Sequence, residues 1–268
     1  GSAIAVTTGS GRLIRSAVEM SEHATFADAG VSNDAHDRSR SFISYYTYGA
    51  AVALGLDLTI RERTGGRLGL DDYMRHLWAR FGAPAAPAPG LVARPYTMAD
   101  LRRELGVLVG DDGFAVEFFE RYIEGREVVD YARLLARAGY LLQPAAPGRT
   151  SPGDVPVEED RGGLLVGGSN RTLVAFGTPA YAAGLDAGDR IVAIDGASAT
   201  RATWEALRRG TPGAPHTLRV ERRDGRVDTT TLTLAADPAL RIVPAETMRA
   251  LTDAERTFRD AWLGSRAR

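Results

Sequence analysis

At residue 41 the chain passes from a polar stretch without pattern into a dense apolar run. Residues 4 to 40 keep no sustained hydrophobic period and are rich in Gly, Ser, Asn and Asp. That predicts a loop-rich lead-in which needs a neighbouring surface to order it. Phe42, Ile43, Tyr45, Tyr46, Ala50, Val52, Ala53, Leu54, Leu56, Leu58 and Ile60 then predict a helix apolar on nearly all sides, hence buried. Its small residues Gly49, Ala50, Ala53 and Gly55 would let other backbones approach, and Arg61-Glu62-Arg63 before Gly65-Gly66 marks its exit into solvent. Further helices are expected: one with Asp71 or Asp72 as N-cap, ending near Phe81; one beginning at Thr97; and two over about 113–123 and 129–138. The Pro- and Ala-rich stretch from Ala83 to Pro89 reads as a linker or surface loop.

After Gly139 the period becomes alternating. Pro144 to Asp160 is polar and turn-rich and predicts a loop; Leu173–Phe176, Arg190–Ile194, Thr217–Arg222 and Thr229–Leu234 predict short strands, with tight turns at Asp195-Gly196 and Asp224-Gly225. Short helices are expected over Thr178–Leu185 and Thr203–Arg209, and Thr252 with Glu255 has the capping-box spacing of a terminal helix that packs back on the helical half. The class is α + β. The expected division is a lead-in over 1–40, a helical domain over 41–138, a strand domain over 139–236 and a C-terminal segment with a helix over 237–268.

Composition narrows the chemistry. A formal net charge of −1 gives no general attraction to nucleic acid or an anionic membrane, and all 33 basic residues are Arg, spread along the chain. The absence of Cys removes disulfides and thiolate metal sites. No apolar run approaches the ~18 residues of a membrane span. Gly1-Ser2-Ala3 has the look of an expression scar, and the residues after it lack the layout of a signal peptide. The acidic pairs Asp71-Asp72 and Asp111-Asp112 sit where helices start and read as caps rather than a cation site. No Gly-x-Ser-x-Gly occurs, and Gly162-Gly163 with Gly167-Gly168 lacks the Lys and the strand-to-helix context of a phosphate loop.

The segment Gly177-Thr178-Pro179-Ala180-Tyr181-Ala182-Ala183-Gly184-Leu185-Asp186-Ala187-Gly188-Asp189-Arg190-Ile191-Val192-Ala193-Ile194-Asp195-Gly196 closely resembles the bacterial PDZ signature. The resemblance implies a PDZ-like β-barrel or sandwich that binds peptide, commonly a protein C-terminus, by strand addition beside a loop of backbone N–H groups. Gly163, Leu164 and Leu165 are one candidate for that loop, and Gly139, Tyr140 and Leu141 the alternative.

Together with the PDZ segment, Ser44-Tyr45-Tyr46-Thr47-Tyr48-Gly49, Leu56-Asp57-Leu58, Arg61-Glu62-Arg63 and Phe118-Phe119-Glu120-Arg121-Tyr122-Ile123-Glu124-Gly125 resemble the C-terminal portion of the glycyl-aminopeptidase family. These are gluzincin-type zinc metallopeptidases with a PDZ domain after the catalytic domain. The resemblance implies that residues 41–138 are the C-terminal part of a gluzincin helical bundle and that the lead-in continues an upstream catalytic region. Zinc would need His-Glu-x-x-His, yet His23, His36, His76 and His216 include no pair four residues apart. The expectation is therefore no metal or cofactor in these residues, zinc in a longer protein, and no activity from this chain alone. Tyr46-Thr47-Tyr48-Gly49 resembles the Tyr-x-Lys-Gly helix whose tyrosine stabilises an oxyanion, with Tyr48 where Lys is common, so Tyr46 or, in the other register, Tyr45 would take that role. Three aromatics on a buried helix are also what a core requires.

The implied activity is that of a bacterial zinc aminopeptidase on peptides with small N-terminal residues; the other reading is a non-catalytic PDZ adaptor that captures peptide ends. Expected partners are a peptide or protein C-terminus and the upstream half of the same chain, without nucleic acid or membrane, in bacterial cytoplasm or periplasm.

Overall fold

The computed structural model describes residues 1–27, 41–82 and 94–264. The linker expected over Ala83–Pro89 lies outside these residues, as does His36. The lead-in departs from the predicted loop: Ser2–Thr8 is helix α1 and Ala17–Ala27 is α2, with a 3₁₀ turn at Ser10–Leu13. Capping and a few anchors suffice for it. Ser16 Oγ accepts from the Glu19 N–H at 3.2 Å while the Glu19 carboxylate accepts from the Ser16 N–H at 2.6 Å. Val6 and Met20 are buried in the core built around α3, Tyr45–Thr64. So few anchors leave no period to read.

α3 starts later than its apolar run: Phe42 and Ile43 pack on the core ahead of the helix. It stops at Gly65, whose φ of 63° is the left-handed C-cap that glycine adopts without strain. Arg61 is buried instead of marking an exit to solvent. Its Nε donates to Asp57 Oδ1 at 3.0 Å and its guanidinium to the Ala261 carbonyl at 2.8 Å. At Gly55 a Cβ would lie 2.8 Å from Val129 Cγ2, so glycine is what permits that contact.

Leu70–Leu77 forms α4, continued by a π turn over Trp78–Gly82. The cap position belongs to Gly69, and Asp72 serves from the first turn by accepting the Gly69 N–H at 2.9 Å. Met98–Val109 is α5, capped by Thr97 as predicted; Asp112–Phe118 is α6, capped by Asp111 and continued by a π turn over Phe119–Ile123; Tyr131–Arg137 is α7, capped by Asp130. Leu58, Ile60, Leu105, Phe118 and Leu134 are fully buried among these helices.

The strand half is a set of open sheets, not a closed barrel. β1 (Tyr140–Pro144) pairs antiparallel with the late strand β10 (Leu240–Pro244), and β2 (Thr150–Ser151) with β9 (Ala235–Ala236). The main sheet runs in the order β3 (Val157–Asp160), β4 (Gly163–Val166), β5 (Arg190–Ile194), β7 (Pro215–Glu221), β8 (Val227–Thr233), with β6 (Ala197–Ser198) on β5. Two short helices complete it: α8, Pro179–Ala182, and α9, Arg201–Ala206. β2 and β3 thus fall in the stretch predicted as loop, since an edge strand of sequence Val-Glu-Glu-Asp carries the charges that keep an edge from sticking. Leu173–Phe176, predicted as a strand, joins no ladder; Val174 is buried there without strand pairing.

A second core, including Leu164, Ile191, Trp204, Leu218 and Leu232, fills this half. The terminal helix α10 (Asp253–Leu263) packs back on the helical half as predicted: Phe258 and Trp262 pack against the first core and Arg259 Nε donates to the Ala138 carbonyl at 2.7 Å.

Candidate peptide-binding edge

β3 is an outer strand of the main sheet, so one side of its backbone is unpaired within the sheet. A two-residue turn, Arg161-Gly162, joins it to β4; both residues have positive φ, 49° and 79°, the pattern of a tight hairpin turn. Asp160 stands opposite Gly163, and Pro156 accepts the Gly167 N–H at 2.8 Å. By antiparallel alternation Pro156, Glu158 and Asp160 bond inward to β4, and the N–H and C=O of Val157 and Glu159 point to the free edge.

α9 runs beside that edge. Thr200 caps it by accepting the Thr203 N–H at 3.2 Å, and Glu159 Oε1 accepts the Arg201 N–H at 2.9 Å, which ties β3 to the helix N-terminus. Trp204 and Leu207 anchor α9 and the turn after it in the core. On the other face of β3, Arg190 donates to Asp160 Oδ2 at 2.8 Å and bridges to Glu221 at 3.1 Å; these carboxylates hold its guanidinium pKa above the ordinary value. Asp195, in the turn after β5, is held below the ordinary carboxylate pKa by the His216 imidazole and the Thr217 N–H.

The predicted loop residues sit elsewhere. Gly163, Leu164 and Leu165 form β4, flanked by β3 on one side and β5 on the other, so their backbone is inside the sheet and not at its edge. Leu164 is fully buried. Gly139 precedes β1, and Tyr140 and Leu141 pair with Pro244 and Val243 of β10. Tyr140 faces Trp262 and the Arg259 guanidinium, which lies 4.3 Å from its ring centre, so this alternative belongs to the contact with the helical half. The residues before β3 are loop as expected, but β3 itself lies in the stretch expected to be loop; the charged run after Val157 and Arg161-Gly162 were the signals that could have found it.

Tyr46 lies in the first turn of α3, 72% exposed, its ring centre 4.3 Å from that of Tyr45. Tyr48 is the core member of the trio: it is 2% exposed, its hydroxyl has no hydrogen-bond partner, and burial pushes its pKa up. Among the described residues, no group of three or more His, Cys, Asp or Glu could hold a metal ion. His76 Nε2 lies 2.7 Å from Glu104 and His216 Nδ1 2.7 Å from Asp195, each a separate pair. No helix among the described residues is long and apolar enough to cross a membrane.

Residues 172–222 match the family model of the PDZ domain, so the strand half contains a PDZ domain. Almost the whole chain, 96% of it, superposes on the aminopeptidase N family protein of Idiomarina loihiensis with a TM-score of 0.57 and 22% identity, which establishes a shared fold. The chain spans 42% of that protein's length. Weaker likenesses are to the HtrA-type protease AlgW with decapeptide (TM-score 0.28, 25% identity, 35% of this chain and 30% of that one) and to the photosystem II D1 C-terminal processing protease (TM-score 0.28, 13% identity, 70% and 43%). No curated protein matches the chain.

Proposed function

We propose that this chain is the C-terminal part of a zinc-dependent aminopeptidase acting on peptides with small N-terminal residues, its PDZ domain binding or positioning peptide. The observation that carries the reading is the near-complete superposition, helical half and PDZ half together, on an aminopeptidase N family protein. The zinc donors then belong to the rest of the longer protein, and Tyr46 is the one residue of this chain given a part in the reaction. Its exposed position at the start of α3 leaves its hydroxyl able to meet a catalytic surface supplied by the upstream half, where it would donate a hydrogen bond to the oxyanion.

The test is zinc content and hydrolysis of Gly- and Ala-anilides by the longer protein beside this chain. Zinc and activity in the longer protein alone are expected; neither in either protein overturns the reading. In the active protein, Tyr46→Phe is expected to lower kcat by about 10²–10³-fold with little change in KM, and Tyr45→Phe to leave both near wild type. An unchanged kcat in Tyr46→Phe removes the assigned role. A non-catalytic adaptor is the second reading. It is favoured by the separate core of the PDZ half and its free sheet edge, which need nothing from an active site.

A further inference from the structure

We infer that the free edge of β3 accepts internal extended segments of polypeptide and not free C-termini; this rests on the PDZ domain being a peptide-binding one. A terminal carboxylate is captured by adjacent backbone N–H groups that converge on it. The loop leading into β3, Ser151 to Pro156, is poorly made for that. Pro152 and Pro156 have no N–H. The Gly153 N–H is already donated to Ser151 Oγ at 3.1 Å. Asp154 and Val155 supply the one adjacent pair of N–H groups left, and Asp154 exposes its own carboxylate in the same loop, where an incoming carboxylate would be repelled.

Of the three arginines gathered at the far end of α9, two have their charge met by a carboxylate, and the third, Arg209, is exposed. Arg208 is bridged to Glu205 at 3.2 Å and Arg149 to Asp237 at 3.6 Å. Glu159, exposed and fixed on the Arg201 N–H, adds a second negative charge along the edge. The outward N–H and C=O groups of Val157 and Glu159 remain intact. They pair with any extended backbone, whether it ends there or runs on. The edge therefore recognises a strand and lacks the means to recognise a terminus.

The test uses the whole chain and an array of short peptides of random sequence, each made as the free acid, as the C-terminal amide, and with alternate backbone nitrogens methylated. For the peptides that bind best, acid and amide are expected to agree within about threefold, and methylation is expected to abolish binding because it removes the hydrogen bonds of an added strand. A preference for the free acid of about tenfold or more overturns the inference and leaves peptide binding standing. Binding that survives methylation overturns strand addition at this edge. Failure of every peptide in all three forms overturns the peptide-binding reading itself, and the inference with it. Asp154→Asn, at an exposed position, removes the loop's own negative charge and is expected to shift preference towards the free acid; no shift overturns the repulsion given to Asp154.

Discussion

Asp189 is 2% exposed and its Oδ2 accepts from the Arg222 guanidinium at 2.8 Å and from the Asp186 N–H at 3.1 Å. A motif residue that looks like turn chemistry is thus the buried half of an ion pair that joins the start of β5 to the end of β7, its Arg222 half partly exposed. Asp189→Ala leaves Arg222 with Asp228 at 3.1 Å and is expected to cost about 1–3 kcal/mol in urea unfolding, with Asp189→Asn closer to wild type because it keeps an acceptor. Gly55 makes the opposite point, a position defined by what is absent. Gly55→Ala is expected to destabilise by about 1–3 kcal/mol through the clash with Val129, and Val129→Ala in the same chain to recover part of it. Such positions are unevenly legible in the sequence. Gly184 reads as a left-handed cap and has φ 71°, whereas the burial of Arg61 is not announced: Asp57 is its neighbour one helical turn back, but the Ala261 carbonyl that covers it is brought from 200 residues away by the fold.

Elements with a local signal are the legible ones. Thr97 and Thr252 cap α5 and α10 because a hydroxyl and a carboxylate three residues apart satisfy each other whatever the rest of the chain does. The same arrangement at Ser16 and Glu19 escapes notice, since α2 has few buried residues to make it look helical. Strands expected from apolar runs fare worse where pairing decides: Val174 is buried without a ladder, and the charged β3 has one. The α10 cap also fixes a pH dependence. Bonding to Arg249, then to the Thr252 N–H, lowers the Glu255 pKa from an ordinary 4.5 to about 2. A carboxyl with a depressed folded pKa contributes stability above its unfolded value and loses it as pH falls through the folded one. Thermal stability of the chain is therefore expected to fall from about pH 4.5 towards pH 2, and Glu255→Gln to flatten that slope in melts monitored by circular dichroism; an unchanged slope would show that the pair contributes nothing.

At the scale of the molecule, two cores mean two sets of consequences. Trp204 is 1% exposed at the centre of the PDZ core. Trp204→Ala is expected to remove about 3–5 kcal/mol from that half, with amide exchange rising in β4, β5 and β7 and not in α3 or α5; exchange rising equally in both would show that the cores unfold as one. The division into helical and strand halves is readable from the change of period near Gly139, but the way they are joined is not, because β1 finds β10 about a hundred residues later. That pairing has a further meaning. The chain enters the PDZ half through β1 and leaves through β10, side by side, and then returns to the helices as α10. The PDZ half is in this sense an inset held by both of its ends, not a bead on a string. A nick in one of its exposed turns leaves both pieces anchored, and a short bridge from residue 144 to 240 would close the helical half over its removal.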